Sequence, residues 1–148
     1  MARRKGRILA FQALYAWEVG ATDPENIFEF AWASPALLER LGEDGLAFSR
    51  LIVRGVLDNI EKIDAMISKY LVNWELGRIS KVDLAILRMS VYALLYQQDI
   101  HPSITIDEAI DIAHEFASDD AFRFINGILG AIQSHELQSE SAKKDACI

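Results

Sequence analysis

The sequence predicts a compact all-α protein. Apolar residues recur at the three- and four-residue spacing of a helix, and no stretch alternates convincingly with the period of two that is typical of a strand. Helix-start signals interrupt this pattern at Ser34-Pro35 and at Ser80, which stands three residues before Asp83. With 148 residues and 51% apolar content, the chain is long enough for one domain with a substantial core.

The first helix is predicted from the N-terminus to Gly20, which is expected to end it. Its buried stripe consists of Ala10, Ala13, Leu14 and Trp17. Basic residues followed by apolar ones imitate a secretory signal peptide, but Gln12 and Glu18 interrupt the pattern and no clean cleavage site follows. We therefore expect a mature helix of a cytoplasmic protein that spans no membrane. Cys147 is the single cysteine, which fits a reducing compartment.

The middle of the chain carries further helical segments. Asp23-Pro24 is a start signal, and Ser34-Pro35 begins a short helix that Gly42 is expected to end. Residues 46–71 follow a helical pattern almost throughout, and Gly55 is expected to be the weak point of that stretch.

Three helices are predicted in the C-terminal half. Ser80 and Asp83 cap the first of them, which is apolar nearly all round and is therefore expected at the centre of the bundle. Arg88 lies within this helix and needs a carboxylate partner if it is buried. Thr105 and Glu108 form a capping box that is expected to open the second helix. The third is marked by Ile125, Ile128, Leu129 and Ile132.

Positive charge is concentrated at the N-terminus of an acidic chain. The formal net charge is -7, yet the first seven residues carry four cations and no carboxylate: Arg3, Arg4, Lys5 and Arg7. Residues 107–120, by contrast, contain six carboxylates and no Lys or Arg. A nucleic-acid site would therefore be local to the basic end, where Gln12 and Tyr15 share the exposed stripe and can meet bases. The alternative is an ordinary solvated N-terminus.

The signatures of common enzyme classes are absent from the sequence. Neither G-x-G-x-x-G nor the P-loop pattern occurs, and there is no G-x-S-x-G. His114-Glu115 begins like a zinc-protease helix, but Ser118 stands where the second histidine is needed. Asp111, His114 and Glu115 are therefore interpreted as a solvated helix face. We expect no catalytic residue, no metal and no cofactor.

A string of motifs becomes specific when it is taken in order. It consists of Arg4, Arg7, Gln12-Ala13-Leu14-Tyr15, Trp17, Asn73-Trp74, Ile86-Leu87-Arg88, Tyr92, Thr105-Ile106-Asp107-Glu108-Ala109 and Phe124-Ile125-Asn126-Gly127-Ile128-Leu129. Together these motifs resemble the NusB family of bacterial transcription antitermination factors, from about residue 3 to residue 132. The resemblance implies about seven helices in two sub-bundles. Residues 1–138 would then form a single domain, with 139–148 as a disordered polar tail.

The resemblance also implies a function. NusB-like proteins pair with the ribosomal protein NusE and bind the single-stranded boxA element of nascent ribosomal RNA, and the complex loads onto RNA polymerase and suppresses premature termination. The RNA-binding residues implied are Arg3, Arg4, Lys5, Arg7, Gln12, Tyr15, Phe116, Asp120, Arg123 and Phe124. The partner surface implied lies near Tyr70, Glu75 and Asp83. A homodimer and a monomer both remain open.

Two other interpretations remain beside this one. The first is a helical adaptor that binds proteins and no RNA. The second is a NusB-like domain related to ribosomal RNA methyltransferases, although such an enzyme needs a large catalytic domain that this chain is too short to hold. The sequence departs from the family pattern at Ala93, His101, His114 and Ala121-Phe122, and the last two departures remove polar or positive groups near the expected RNA face.

Three further expectations concern the last helix. Phe124 precedes the core residue Ile125, and successive side chains of a helix are rotated by about 100° from each other. The ring of Phe124 can therefore be exposed and stack on a base, or it can pack against the first helix. Asp120 precedes the helix and can cap its backbone N–H groups. Asn126-Gly127 is interpreted as a point of close helix packing, where a side chain would not fit.

Overall fold

The predicted all-α class is confirmed by the structure, a computed structural model that describes residues 2–20, 26–30, 32–72 and 75–137. The α-helices in these ranges are α1 (Ala2–Glu18), α2 (Pro35–Asp58), α3 (Ile60–Lys69), α4 (Lys81–Tyr96), α5 (Pro102–Phe116) and α6 (Ala121–Ile132). Short 3-10 turns lie at Ile27–Glu29 and Leu76–Arg78, and a π-helical turn lies at Gln133–Leu137.

Asp23-Pro24, Asn73-Trp74 and the predicted tail lie outside the described residues. None of the described helices is long and apolar enough to cross a membrane.

Six α-helices are described where about seven were expected, and Gly42 accounts for the difference. Its φ of 67° and ψ of −177° are not helical, so α2 consists of two helical stretches joined at this residue. Ser34 begins α2 as predicted, since its Oγ accepts a hydrogen bond from the backbone N–H of Leu37 at 3.1 Å. Gly20 lies just beyond the end of α1 with a φ of 72°, a left-handed conformation that glycine adopts without strain.

α4 lies at the centre of the bundle, as its apolar sequence predicts. It packs against α1, α2, α3, α5 and α6, and every residue from Leu84 to Leu94 is buried. The predicted cap is also confirmed, because Ser80 Oγ accepts a hydrogen bond from the backbone N–H of Asp83 at 3.1 Å. A helix that is buried on all sides cannot shift without disturbing each of its neighbours.

Arg88 is buried in α4, and the carboxylate partners that it needs are present. Its Nε and Nη2 atoms donate to the two carboxylate oxygens of Asp64 on α3, each at 2.9 Å. Its Nη1 donates to Glu18 on α1 at 2.6 Å, and Lys81 donates to the other oxygen of Glu18 at 3.1 Å. Burial by itself raises the pKa of Glu18, but the hydrogen bonds from Arg88 and Lys81 hold that pKa below its usual value.

The helix does not break at Gly55, which was expected to be the weak point of residues 46–71. α2 continues through Gly55 and ends at Asp58, so that the break before α3 falls at Asn59. A Cβ atom placed on Gly55 would lie 2.2 Å from the ring of Tyr92. The glycine is therefore needed for the close approach of α2 to α4.

The capping box predicted at Thr105 and Glu108 is also wrong. α5 begins three residues before Thr105, and its cap is His101, whose Nδ1 accepts a hydrogen bond from the backbone N–H two residues later at 3.1 Å. Thr105 is buried, and its hydroxyl has no hydrogen-bond partner among the described residues. Glu108 pairs with Arg7 of α1 instead, because a buried cation attracts a carboxylate more strongly than a helix end does.

We expect Gly55→Ala to lower the free energy of unfolding by about 1–3 kcal/mol, because the added methyl group overlaps the Tyr92 ring in a packed core. Gly130→Ala on α6 is the matched control, since a Cβ there meets no atom within 4 Å. Alanine's helix propensity should stabilise that variant by up to about 1 kcal/mol. Urea unfolding measures both, and equal effects would contradict the packing role of Gly55.

Candidate nucleic-acid interface

The exposed side of α1 carries the predicted mixture of cation, amide and aromatic ring. Arg4 is exposed, with its guanidinium 3.7 Å from the carboxylate of Asp111. Lys5 and Gln12 are half-buried, and Tyr15 is 39% exposed. Helix geometry places Arg4 and Tyr15 about 20° apart around the axis, and Lys5 and Gln12 likewise about 20° apart. One face of α1 can therefore present all four side chains together.

Arg7 is buried, contrary to the expectation that the N-terminal cations are exposed. Its side chain is 4% exposed and forms an ion pair with Glu108 on α5. Its guanidinium also lies over the ring of Phe48 at 5.8 Å. A phosphate would have to displace this half-buried carboxylate, so Arg7 is placed to hold α1 against α5. The side chain of Arg3 lies outside the described part of the chain.

Trp32 is an exposed ring beside this face that the sequence analysis did not identify. It is 39% exposed, its Nε1 donates to Gln12 Oε1 at 3.2 Å, and its ring meets that of Phe30 edge-on at 5.7 Å. The dense aromatic segment around Phe30 was the available signal. Nothing in the spacing connects that segment to α1, and only the folded chain brings Trp32 to Gln12.

A groove of about 430 Å³ brings together residues from both predicted surfaces. Asp83 of the partner surface lines it with Asp120 and Phe124 of the RNA face, and its other lining residues are Arg78, Ile79, Ser80, Ser118 and Ala121. Burial raises the pKa of Asp83, and the hydrogen bond with Ser80 offsets this rise only in part. Asp120 makes no cap hydrogen bond, so the capping role considered for its side chain is not seen. Glu75 is exposed at the turn before α4.

Phe124 also lines a second groove, of about 290 Å³. The other lining residues of this groove are Tyr70, Val72, Arg123, Gly127 and Ile128. Gly127 is exposed, and a Cβ there would meet no atom within 4 Å. The expectation that Asn126-Gly127 marks close helix packing is therefore wrong.

The aromatic residues at the junction of α5 and α6 are partly engaged in packing. Phe116 is half-buried, with its ring 5.4 Å from that of Phe11 on α1. Arg123 is exposed, with its guanidinium 5.5 Å from the ring of Phe122. Phe122 in turn lies 4.5 Å from the ring of His114. Two departures from the family pattern thus contact each other, and their ring contact joins α5 to α6.

The described residues contain no group of three or more His, Cys, Asp and Glu side chains that could hold a metal ion. The described residues define an all-helical fold in which one face of α1 carries Arg4, Lys5, an amide and aromatic rings. Surfaces of this composition suit single-stranded RNA, because rings stack on bases and guanidinium groups pair with phosphate.

The sequence profile of the NusB family matches residues 4–134. The transcription antitermination protein NusB of Treponema denticola is 43% identical over 134 residues, which cover 90% of this chain and 97% of that protein. Among solved structures, NusB of T. maritima has a TM-score of 0.78 at 34% identity, covering 90% of this chain and 91% of that one. The antitermination factors NusB and NusE in complex with dsRNA give a TM-score of 0.76 at 26% identity, with coverages of 90% and 96%. The chain belongs to the NusB family.

We expect Arg7→Ala to lower the free energy of unfolding by about 3 kcal/mol, because it leaves the carboxylate of Glu108 partly buried without its cation. Arg4→Ala is the control, since an exposed ion pair contributes about 0–1 kcal/mol. Chemical denaturation measures both. A double-mutant cycle with Glu108→Ala isolates the pair, and a coupling energy near zero would show that Arg7 is not held by Glu108.

Proposed function

We propose that this protein is a transcription antitermination factor that binds boxA-type single-stranded RNA together with the ribosomal protein NusE. Its membership of the NusB family carries the proposal, since the full domain matches and the relatives bear that name. The similarity to antitermination factors crystallised as NusB and NusE in complex with dsRNA supports NusE and RNA as ligands. We further infer that the complex acts on RNA polymerase during synthesis of ribosomal RNA, in the bacterial cytoplasm, and that the protein is not an enzyme.

The RNA face that we propose begins on α1 and continues to the start of α6. Arg4 and Lys5 would pair with phosphates, while Gln12 and Tyr15 would meet bases. Arg3 belongs to the same basic segment, and Arg7 would act by holding α1 in place. On the far part of the face, the proposed contacts come from Phe116, Asp120, Arg123 and Phe124.

The partner surface that we propose contains Tyr70, Glu75 and Asp83. Ribosomal proteins are commonly basic, so carboxylates suit NusE. Because Asp83 shares a groove with Asp120, a basic partner would neutralise charge that otherwise repels the phosphates of RNA. RNA and NusE should therefore strengthen each other's binding by the same factor.

The helices also allow the two sub-bundles that the resemblance implies. α1 packs most extensively against α2, and α5 packs most extensively against α6, while α4 contacts both pairs. Since α3 packs mainly against α4, we propose that α1 and α2 form one sub-bundle and α3, α4, α5 and α6 the other, within a single domain of residues 1–138.

Direct RNA binding separates this function from that of a protein adaptor. We expect labelled boxA-type RNA to bind the protein alone and to bind more tightly in the presence of NusE. Each phosphate contact on a single strand contributes about −0.7 to the slope of log K against log salt. Replacing Arg4 and Lys5 together with alanine should flatten that slope by about 1.4. Lys62→Ala, which removes an exposed cation on α3, is the control; an unchanged slope in the Arg4 and Lys5 variant would remove these residues from the site.

We expect Asp83→Lys to weaken NusE binding at least several-fold, because it places like charges across the contact. Binding of RNA to the protein alone should survive the change. Asp99→Lys makes the same charge reversal at an exposed position beyond the end of α4 and should bind NusE as wild type does. Titration calorimetry measures both variants, and equal NusE affinities would mean that the partner surface lies elsewhere.

A further inference from the structure

The groove beside Gly127 has walls suited to a flat ring. The side chains of Tyr70 and Phe124 both line it, together with the apolar Val72 and Ile128. Its volume of about 290 Å³ is just below the range for small-molecule pockets, about 300–1,000 Å³. It is therefore of a size for one small planar group, not for a folded element of another protein.

The ring of Tyr70 is held in place from behind. Its hydroxyl donates to Glu136 Oε1 at 2.6 Å, and Lys69 Nζ donates to the same oxygen at 2.6 Å. The ring of His135 stacks on that of Tyr70 at 5.9 Å between centroids. Hydrogen bonds from Lys69 and Tyr70 hold the pKa of Glu136 below its usual value, so the carboxylate stays charged and continues to accept both bonds. A ring ordered in this way loses little entropy when a base stacks on it.

Gly127 leaves the groove open. It lies inside α6, where a residue with a side chain is the better helix former. A Cβ at this position would meet no atom of the described residues within 4 Å, so packing against them does not require glycine here. The space that the missing side chain leaves belongs to the groove.

The charge of this groove distinguishes it from its neighbour. Two carboxylates, of Asp83 and Asp120, and one exposed guanidinium, of Arg78, line the larger groove, whereas the exposed Arg123 is the one charged residue among the described residues that line the smaller groove. Phe124 lines both, so the smaller groove continues the proposed RNA face. The lining of the larger groove is therefore net negative and that of the smaller groove positive, so a phosphate is attracted more strongly to the smaller groove.

We propose that this groove binds one nucleotide of single-stranded RNA, with its base against the rings of Tyr70 and Phe124 and its phosphate paired with Arg123. Tyr70 then contacts RNA at the border of the proposed partner surface. The inference rests on the proposed function and extends the RNA face beyond Phe124. The described lining residues supply aromatic rings and a cation but no carboxylate, and this combination fits a nucleotide better than it fits a basic protein.

Gly127→Leu tests the groove, because the added side chain would fill it. Gly130→Leu is the matched control, since a Cβ at Gly130 also meets no atom within 4 Å and Gly130 does not line the groove. Both variants should melt at or above the wild-type temperature, since leucine is the better helix former. Loss of one stacked base, worth about 1–3 kcal/mol, should weaken binding of labelled boxA-type RNA about five-fold or more in Gly127→Leu only.

A second series replaces the ring itself. Tyr70→Ala should weaken RNA binding about as much as Gly127→Leu does, and Tyr70→Phe should retain most of the affinity because the ring remains. RNAs shortened one nucleotide at a time should include one step that weakens wild type but leaves Gly127→Leu unchanged.

Two outcomes would overturn the proposal. If Gly127→Leu binds RNA as wild type does, the groove is not an RNA subsite. If Gly127→Leu binds RNA as wild type does and its affinity for NusE falls, the groove is a protein contact. Failure of the wild-type protein to bind RNA at all is a different result, since it removes the proposed function and this inference with it.

Discussion

Arg88 is buried in the middle of α4, where Asp64 of α3 and Glu18 of α1 neutralise its guanidinium. Removing one partner from a buried pair of this kind costs about 3–5 kcal/mol, because an uncompensated charge then remains in the core. Only a few arrangements of three helices allow carboxylates on two of them to accept hydrogen bonds from one planar guanidinium on the third. The network therefore sets how α1 and α3 lie on the central helix, and with them the positions of the N-terminal cations and of Tyr70.

α1 is held by ion pairs near both of its ends. Arg7 pairs with Glu108 of α5 near the first turn, and Glu18 pairs with Arg88 at the last residue of the helix. The two pairs join α1 to different helices, so the helix can neither rotate nor slide without separating one of them. A face presented on such a helix is ordered before its ligand arrives, which reduces the entropy lost on binding.

The features that the sequence predicted correctly depend on neighbours along the chain or on a general requirement of burial. The Ser80 cap depends on residues within one helical turn. Arg88 needs a carboxylate because it is a cation in an apolar helix, and this requirement holds in any fold that buries it. The wrong predictions concern residues whose partner is distant in sequence. Glu108 follows a capping pattern but faces Arg7, and Gly55 contacts Tyr92. Within the candidate site, the α1 stripe followed from periodicity, whereas the burial of Arg7 depends on α5 and was not predictable from it.

Phe124 lies where the two grooves meet, and the linings on its two sides carry opposite net charge. On one side, Asp83 and Asp120 outnumber Arg78 and suit a basic protein; on the other, Arg123 and Tyr70 suit the nucleotide that we propose there. A partner that covered the carboxylates of Asp83 and Asp120 would remove their repulsion of phosphates along the RNA path that we propose. Coupling between the two ligands then needs no change of shape in this protein, because the ion-paired helices already hold both surfaces in place.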